Sequence, residues 1–382
     1  MQYFDHTATK LIEKDVIEFY LKQLKANNYN PAAIYASGLE AAESISNSAK
    51  SIAKNLECEP DEIIFTSGAT ESINTAIKGI VLSPNPKTKR ILTSAGEHSA
   101  TTETLKFLEQ KMDYQIDVCD LDANGQINLD QLERYLKNEK YDLLTIIHVN
   151  NVLGTINPIE KIVALRNQYQ KELPIHLDSV QTLGKLELNL SKLGIELASF
   201  SLHKIGTPKG IGLLYKSRNT RIEPLIHGGG QQNSLRSGTE NPALVATAAY
   251  VIEKTTKFLT EDLAKINKLS NYLTSQLDQA KINYQYIPSN DAEVVPHINA
   301  ILFPNLRAET LLNVLNIKDI AVSIGSACSN KKSKQNEILK KLQLPGQMDK
   351  HILRISLASN NTKEEINDLV TKISEALAKY AV

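Results

Sequence analysis

The sequence predicts an α/β fold: a large domain with a mainly parallel sheet between helices, then a smaller α+β domain. Three observations point there. Short apolar runs alternate with amphipathic stretches through the first two-thirds of the 382 residues. Several of those runs are almost continuously apolar, as expected for strands covered on both faces. Near residue 255 the alternation stops and a long helical stripe takes over, which marks a second unit.

Taken in order, strands are predicted at 63–65, 90–93, 115–119, 143–149, 174–177, 197–200 and 212–215. Helical patterns separate many of them, the alternation expected of parallel strands. From 255 to 280, Leu259, Leu263, Ile266, Leu269, Leu273 and Leu277 share one helical face. A strand is predicted at 297–303. Thr362 and Glu365 then read as a capping box, ahead of a stripe of Ile366, Leu369, Val370, Ile373 and Leu377. The length suggests two domains. They are placed at 1–255 and 256–382, with the first ~15 residues packing on the smaller one.

Composition excludes several classes. Forty-three basic residues balance forty-three acidic ones, so no global basic field for nucleic acid is present. The cysteines are Cys58, Cys119 and Cys328, with no CxxC. Such a sparse, odd set argues against a disulfide framework and a zinc knuckle, and no metal site is predicted. The opening MQYFDHTATKLIEKD has no apolar signal segment. The most apolar tract, 243–252, falls well short of the roughly 18 residues that cross a bilayer. A soluble protein in a reducing, cytoplasmic setting is expected.

Three segments offer chemistry. IIFTSGATESINTAIKGIV (63–81) leads an apolar strand into Ser67-Gly68-Ala69-Thr70 and a helix with Ile73, Ile77 and Ile80 inward. A glycine turn at a helix N-terminus exposes N–H groups and a positive dipole end, which suits a phosphate. A plain strand–helix turn is the alternative, since neither GxxxxGK[ST] nor GxGxxG occurs. PIHLDSVQTLGK (174–185) ends a strand at Asp178, with Gln181 three residues on. Ligands of open α/β sheets bind at such strand ends. Asp178 reads either as the acceptor for a protonated ring nitrogen or as a helix cap. ASFSLHKIGTPKGIGLLY (198–215) puts Ser201, His203 and Lys204 before a glycine-rich turn. A lysine among apolar strands loses solvation, which lowers its amine pKa and favours Schiff-base chemistry. The alternative is a lysine that snorkels to solvent. His98, Asn151, Arg236, Thr239 and Arg354 are further candidates. HGGG at 227–230 has the look of an oxyanion loop, but no GxSxG elbow accompanies it, and a hydrolase is discarded.

In chain order, SGAT, EH, HVNN, LDxxQ, SxHK, RSGT and GSAC resemble the cysteine desulfurases of the NifS/IscS type. These belong to the class V aminotransferase group of fold-type I enzymes, and the resemblance runs from residue 3 to the helix after Arg354. It implies a fold-type I architecture and pyridoxal 5′-phosphate as cofactor. By the same resemblance Lys204 binds the cofactor covalently, and Asp178 pairs with its ring nitrogen and preserves its electron-sink character. Gln181 bonds the phenolic oxygen, and His98 stacks on the ring and shuttles protons. Ala69, Thr70, Ser201 and His203 hold the phosphate. Thr239 reaches the phosphate of a neighbouring subunit, which implies a homodimer. Asn151 and Arg354 bind the substrate carboxylate, for which the arginine fork is suited.

The implied reaction takes L-cysteine to L-alanine, with the sulfur moving to Cys328 as a persulfide. Lys204, His98 and Cys328 are the implied catalytic residues. The 26-residue interval from Cys328 to Arg354 resembles the longer-loop group, which supplies iron–sulfur scaffolds and tRNA-thiolation enzymes. A sulfur-acceptor protein is therefore an expected partner. An aminotransferase or a selenocysteine lyase would not need a cysteine on a glycine–serine segment, and a non-catalytic scaffold would not need Lys204 with Asp178. Several positions depart from the family pattern: Lys10 for Pro, Val152 for Glu, Leu202 for Gly, Gly206-Thr207 for Tyr-Gly, and Lys334-Gln335-Asn336 for Glu-Pro-Ser. They imply an active enzyme with altered kinetics or partner choice.

Lys331, Lys332 and Lys334 follow Cys328 closely. Their charge favours the thiolate and attracts an acidic acceptor; the alternative is a solvated charged segment. Replacing all three by Ala is expected to slow persulfide transfer more than cofactor binding. Transfer to an acceptor at an unchanged rate would reduce them to solubilising residues.

Overall fold

The computed structural model describes residues 1–84, 87–288, 292–324, 339, 342 and 344–381. The segment with Cys328, Lys331, Lys332, Lys334, Gln335 and Asn336 lies outside them. The chain opens with β1 (Gln2–Tyr3), α1 (Lys14–Ala26) and α2 (Ala36–Leu56). Next come β2 (Ile63–Thr66), α3 (Ala69–Leu82), β3 (Arg90–Ser94), α4 (Ser99–Met112) and β4 (Gln115–Cys119). Then follow α5 (Leu129–Asn138), β5 (Leu143–Ile147), α6 (Ile159–Gln170), β6 (Ile175–Asp178), β7 (Leu197–Ser201) and β8 (Gly212–Lys216). Helices α7 (Pro242–Lys257) and α8 (Leu259–Gln279) lead to β9 (Gln285–Tyr286), β10 (Ile298–Leu302), α9 (Ala308–Ile317) and β11 (Ile320–Ala321). The described residues finish with β12 (Ile352–Ser356) and α10 (Lys363–Tyr380).

Strands β2 to β8 form one sheet in the order β2-β8-β7-β6-β5-β3-β4. The pairs from β7 across to β4 are parallel, and β8 runs antiparallel to both neighbours. Every residue of LLTII in β5 and LASFS in β7 is buried, which is why these central strands are apolar without alternation. Ile73, Ile77 and Ile80 of α3 pack under one face, as their spacing requires. Each of the seven predicted strands forms, with ends shifted by at most two residues.

A second apolar core gathers Ile266, Leu269, Leu273 and Leu277 of α8 with Ile366, Leu369, Val370 and Ile373 of α10. Leu259 and Leu263 are only partly buried, because the helix breaks at Phe258 and its stripe engages the core later than the pattern suggests. Thr362 accepts the Glu365 N–H at 3.2 Å, and the Glu365 carboxylate accepts the Thr362 N–H at 3.0 Å. This reciprocal cap satisfies two orphan donors at the start of α10.

The N-terminus belongs to this second core. β1 pairs in parallel with β11, and Phe4 is fully buried there. Ser356 N–H donates to Phe4 O at 2.7 Å. A residue from one end of the chain thus fills a core built from the other end. Phe4→Ala should cost about 3–5 kcal/mol, the range for deleting a buried aromatic ring. Chemical denaturation measures it, and a loss below about 1 kcal/mol would show that the site collapses without Phe4.

Candidate active site

A cavity of about 370 Å³ opens where β5, β6 and β7 end, with Ile147, Asp178 and Ser201 in its wall. Carboxyl ends of parallel strands are where open α/β sheets bind ligands. Ser67, Gly68, Ala69, Thr70 and Glu71 form one side. Gly68 has φ +157° and ψ 175°, a region open essentially to glycine alone. A Cβ added there would meet nothing within 4 Å, so the space above Gly68 is the cavity itself. On its other side, a Cβ on Gly212 would fall 2.6 Å from the Gly68 Cα. No side chain caps α3 at Gly68, which leaves first-turn N–H groups and the dipole end for an anion.

Lys204 sits in a short helical turn after β7 and lines the cavity. Its ammonium donates to Thr7 O at 3.0 Å and Ala8 O at 2.8 Å. His203 shares a hydrogen bond of 3.0 Å with Thr9 Oγ1, and its carbonyl accepts the Lys10 N–H at 3.1 Å. Gln181 donates to Thr7 O at 3.1 Å, and its buried Oε1 has no partner among the described residues. Thr7 and Ala8 therefore form the cavity floor, with Thr9 and Lys10 continuing along His203. Burial and the neighbouring Lys204 charge bring the His203 imidazole down to about 4, so it is neutral at pH 7. Burial pushes the Asp178 carboxyl up, while the His98 and Lys204 charges pull it down.

His98 caps α4, with Nδ1 accepting the Ala100 N–H at 3.1 Å, and also lines the cavity. Arg354, on β12, is 2% exposed. Its Nη2 meets Asp5 Oδ1 at 2.7 Å and its Nη1 donates to Asn151 O at 2.7 Å. Asn151 and Arg354 thereby share one wall of the cavity. The neighbouring Asn150 serves the turn instead, accepting from Val152 N and Leu153 N.

Thr239 does not join this group. It is exposed and stands beside Gln231 and Glu240, outside the cavity. Thr7, Ala8, Glu71 and Lys209 line the cavity without having been singled out in the sequence. For Thr7 and Ala8 no side-chain signal exists, because their backbone carbonyls make the contact. Cys58 and Cys119 are poor nucleophiles: burial, reinforced by nearby carboxylates, pushes both thiols up to about 12.

Three departures acquire physical reasons. Val152 is buried against Ile287, Ala300 and Ile352, where a carboxylate would be desolvated. Leu202 is fully buried in the core beneath the sheet. The Lys10 N–H that bonds His203 O is a donor proline lacks.

The comparisons agree with this geometry. The model of the family "Aminotransferase class-V" matches residues 2–369. A cysteine desulfurase IscS of Dictyoglomus turgidum is 34% identical over 378 residues, covering 98% of this chain and 95% of the relative. A solved NifS-like protein superposes with a TM-score of 0.91 at 33% identity, covering 99% of both chains. A further structure, of SspA in complex with cysteine, gives a TM-score of 0.82 at 28% identity over 95% of this chain and all of the other. The fold and site thus define a class V member of the fold-type I enzymes. Within that class, the chain belongs to the cysteine desulfurases of the NifS/IscS type.

Glu97, next to His98, is a buried acid just behind the cavity. Its Oε1 accepts from Ser94 Oγ at 2.5 Å and Ile147 N at 2.9 Å. Burial pushes its carboxyl from 4.5 up to about 8. The folded protein therefore holds a proton that the unfolded chain releases, and stability falls as pH rises from about 4.5 through about 8. Glu97→Gln removes that titration. Its melting temperature relative to wild type should climb between pH 5 and pH 8.5. A difference independent of pH would show that Glu97 ionises normally.

Proposed function

We propose that this protein is a pyridoxal-phosphate-dependent cysteine desulfurase that turns L-cysteine into L-alanine and collects the sulfur as a persulfide on Cys328. The observation that carries the proposal is convergence. Lys204, Asp178, His98, Gln181 and Arg354 come from separate parts of the chain and line one cavity. The cavity suits the cofactor on chemical grounds. An uncapped helix end beside open glycine, with Thr70, Ser201 and His203 nearby, is a donor set for phosphate. Asp178 supplies a carboxyl that would pair with a protonated ring nitrogen, and Gln181 keeps a buried oxygen with no partner among the described residues.

In this reading Lys204 holds the cofactor, which when bound supplies an electron sink for the substrate. Arg354, oriented by Asp5 and Asn151 O, receives the substrate carboxylate together with Asn151. Lys204 Nζ and the His98 imidazole move protons to and from substrate carbon. Asp178 would hold the proton on the cofactor's ring nitrogen. The Cys328 thiolate attacks the substrate sulfur; the Cβ–S bond breaks, and Cβ takes up a proton to give alanine. Cys58 and Cys119, with raised thiol pKa values, are unsuited to that role.

The persulfide is proposed to pass to an acceptor protein of iron–sulfur assembly or tRNA thiolation, in the cytoplasm. We assign cofactor binding to 1–255 and the Cys328 segment to 256–382. A homodimer is supported by exposed apolar side chains at Leu21 on α1 and at Ile34, Tyr35 and Leu39 around the start of α2; a monomer would leave this surface bare. Thr239, exposed and away from its own cavity, is proposed to complete the partner's.

Alanine and sulfide release from L-cysteine tests the assignment, with and without an acceptor. Wild type should yield both products and a yellow Lys204-linked cofactor. Cys328→Ser should drop alanine output by at least about a hundredfold, the scale for loss of a nucleophile. Full alanine production by Cys328→Ser would overturn the desulfurase reading in favour of another class V reaction, such as a selenocysteine lyase.

A further inference from the structure

The wall of the cavity contains a carboxylate where an anion is expected. Glu71 is the third residue of α3 and lines the cavity beside Ala69 and Thr70. A bare carboxylate in the first turn would repel a phosphate bound at the same helix end. Glu71 is not bare. Arg236 Nε donates to its Oε1 at 2.8 Å and Arg236 Nη2 to its Oε2 at 3.4 Å. Oε2 also accepts the Ser67 N–H at 2.8 Å, folding the side chain back over the turn. Burial alone raises the carboxyl; Arg236 and Ser67 outweigh it and hold Glu71 below its ordinary value, so it is ionised and paired.

Arg236 itself lies outside the cavity, on a loop that is fastened down independently. The Gln232 amide bonds both Phe65 N at 2.6 Å and Phe65 O at 2.9 Å on the edge strand β2. From this anchor onward Gln232, Asn233 and Ser234 all have positive φ, at 50°, 56° and 64°. Three successive side-chain-bearing residues in that region persist only where surrounding contacts hold them. The loop thus delivers Arg236 to Glu71 in a set position, three residues before Thr239.

We propose that the Arg236–Glu71 pair is a positioning brace for the phosphate-binding turn 67–71, cancelling the one acidic charge on that wall and fixing the turn's shape. The inference rests on the cofactor reading above and assigns two residues which that reading leaves without a role. It predicts a charge effect confined to the phosphate. Arg236→Gln leaves Glu71 uncompensated beside the dianion; Glu71→Gln removes the repelling group; Arg236→Lys keeps the charge.

The test is the affinity of full-length protein, freed of cofactor, for pyridoxal 5′-phosphate and for pyridoxal, followed by absorbance. Arg236→Gln should lower the ratio of the two affinities about tenfold, the scale of an uncompensated charge in a binding site. Arg236→Lys should keep the wild-type ratio, and the double variant Glu71→Gln/Arg236→Gln should bind pyridoxal 5′-phosphate more tightly than Arg236→Gln alone. Equal losses for both ligands, or a double variant no better than the single one, would overturn the brace. Wild type that binds neither ligand would instead overturn the cofactor reading.

Discussion

The buried ion pair between Arg354 and Asp5 ties together parts of the chain that lie 349 residues apart. Arg354 comes from β12, Asp5 follows β1, and the second guanidinium nitrogen reaches the turn after β5 through Asn151 O. A guanidinium this deeply buried has to be paired, since an isolated buried charge is far more costly than a paired one. Once Asp5 is held, residues 7–10 run where Lys204, Gln181 and His203 need acceptors and donors. The cavity floor is therefore a consequence of how the chain's two ends meet. Removing either charge would strand the other and loosen the floor at the same time.

Charge within the cavity follows a consistent logic. Lys204, Lys209 and Arg354 line it together with the imidazoles of His98 and His203, against the acids Asp178 and Glu71. Glu71 is paired with Arg236, while at Asp178 burial raises the carboxyl and the His98 and Lys204 charges offset only part of that rise. Such a field favours a ligand carrying a phosphate and a carboxylate. Glu97 lies just behind, buried and shifted toward its neutral form, so it adds little negative charge beside Asp178. His203, next to the lysine, is kept neutral first by burial and then by the neighbouring lysines. It can accept or donate a hydrogen bond without adding to their repulsion.

The architecture explains why chemistry concentrates at one end of the sheet. Parallel strands β3 to β7 present their carboxyl ends together, and α3 and α4 start there with their positive ends toward the cavity. Strands buried on both faces hold Asp178 and Ser201 rigidly, which suits groups that must keep a fixed geometry. The loop at 227–241 contributes differently. It is fastened to β2 and α3, yet Thr239 points outside the cavity of its own chain.

Much of this was legible in the sequence. The central strands are apolar runs bounded by polar turns, and α10 declares itself by its capping box, because these signals depend on neighbours close along the chain. At Gly68 and Lys204 the local signal marked candidates only, leaving a plain strand–helix turn and a solvent-reaching lysine open. The family motifs added the order of the site residues. What only the tertiary structure decided are relations across long sequence separation. The sequence does not say that Asp5 meets Arg354, that the carbonyls of Thr7 and Ala8 receive Lys204, or that Val152 is buried against β10 and β12. Backbone carbonyls are the same for every residue type, and an apolar side chain does not specify which apolar surface it will meet. Local pattern determined the elements; the pairing of distant surfaces, each needing a partner for buried charge or buried polar backbone, determined the site.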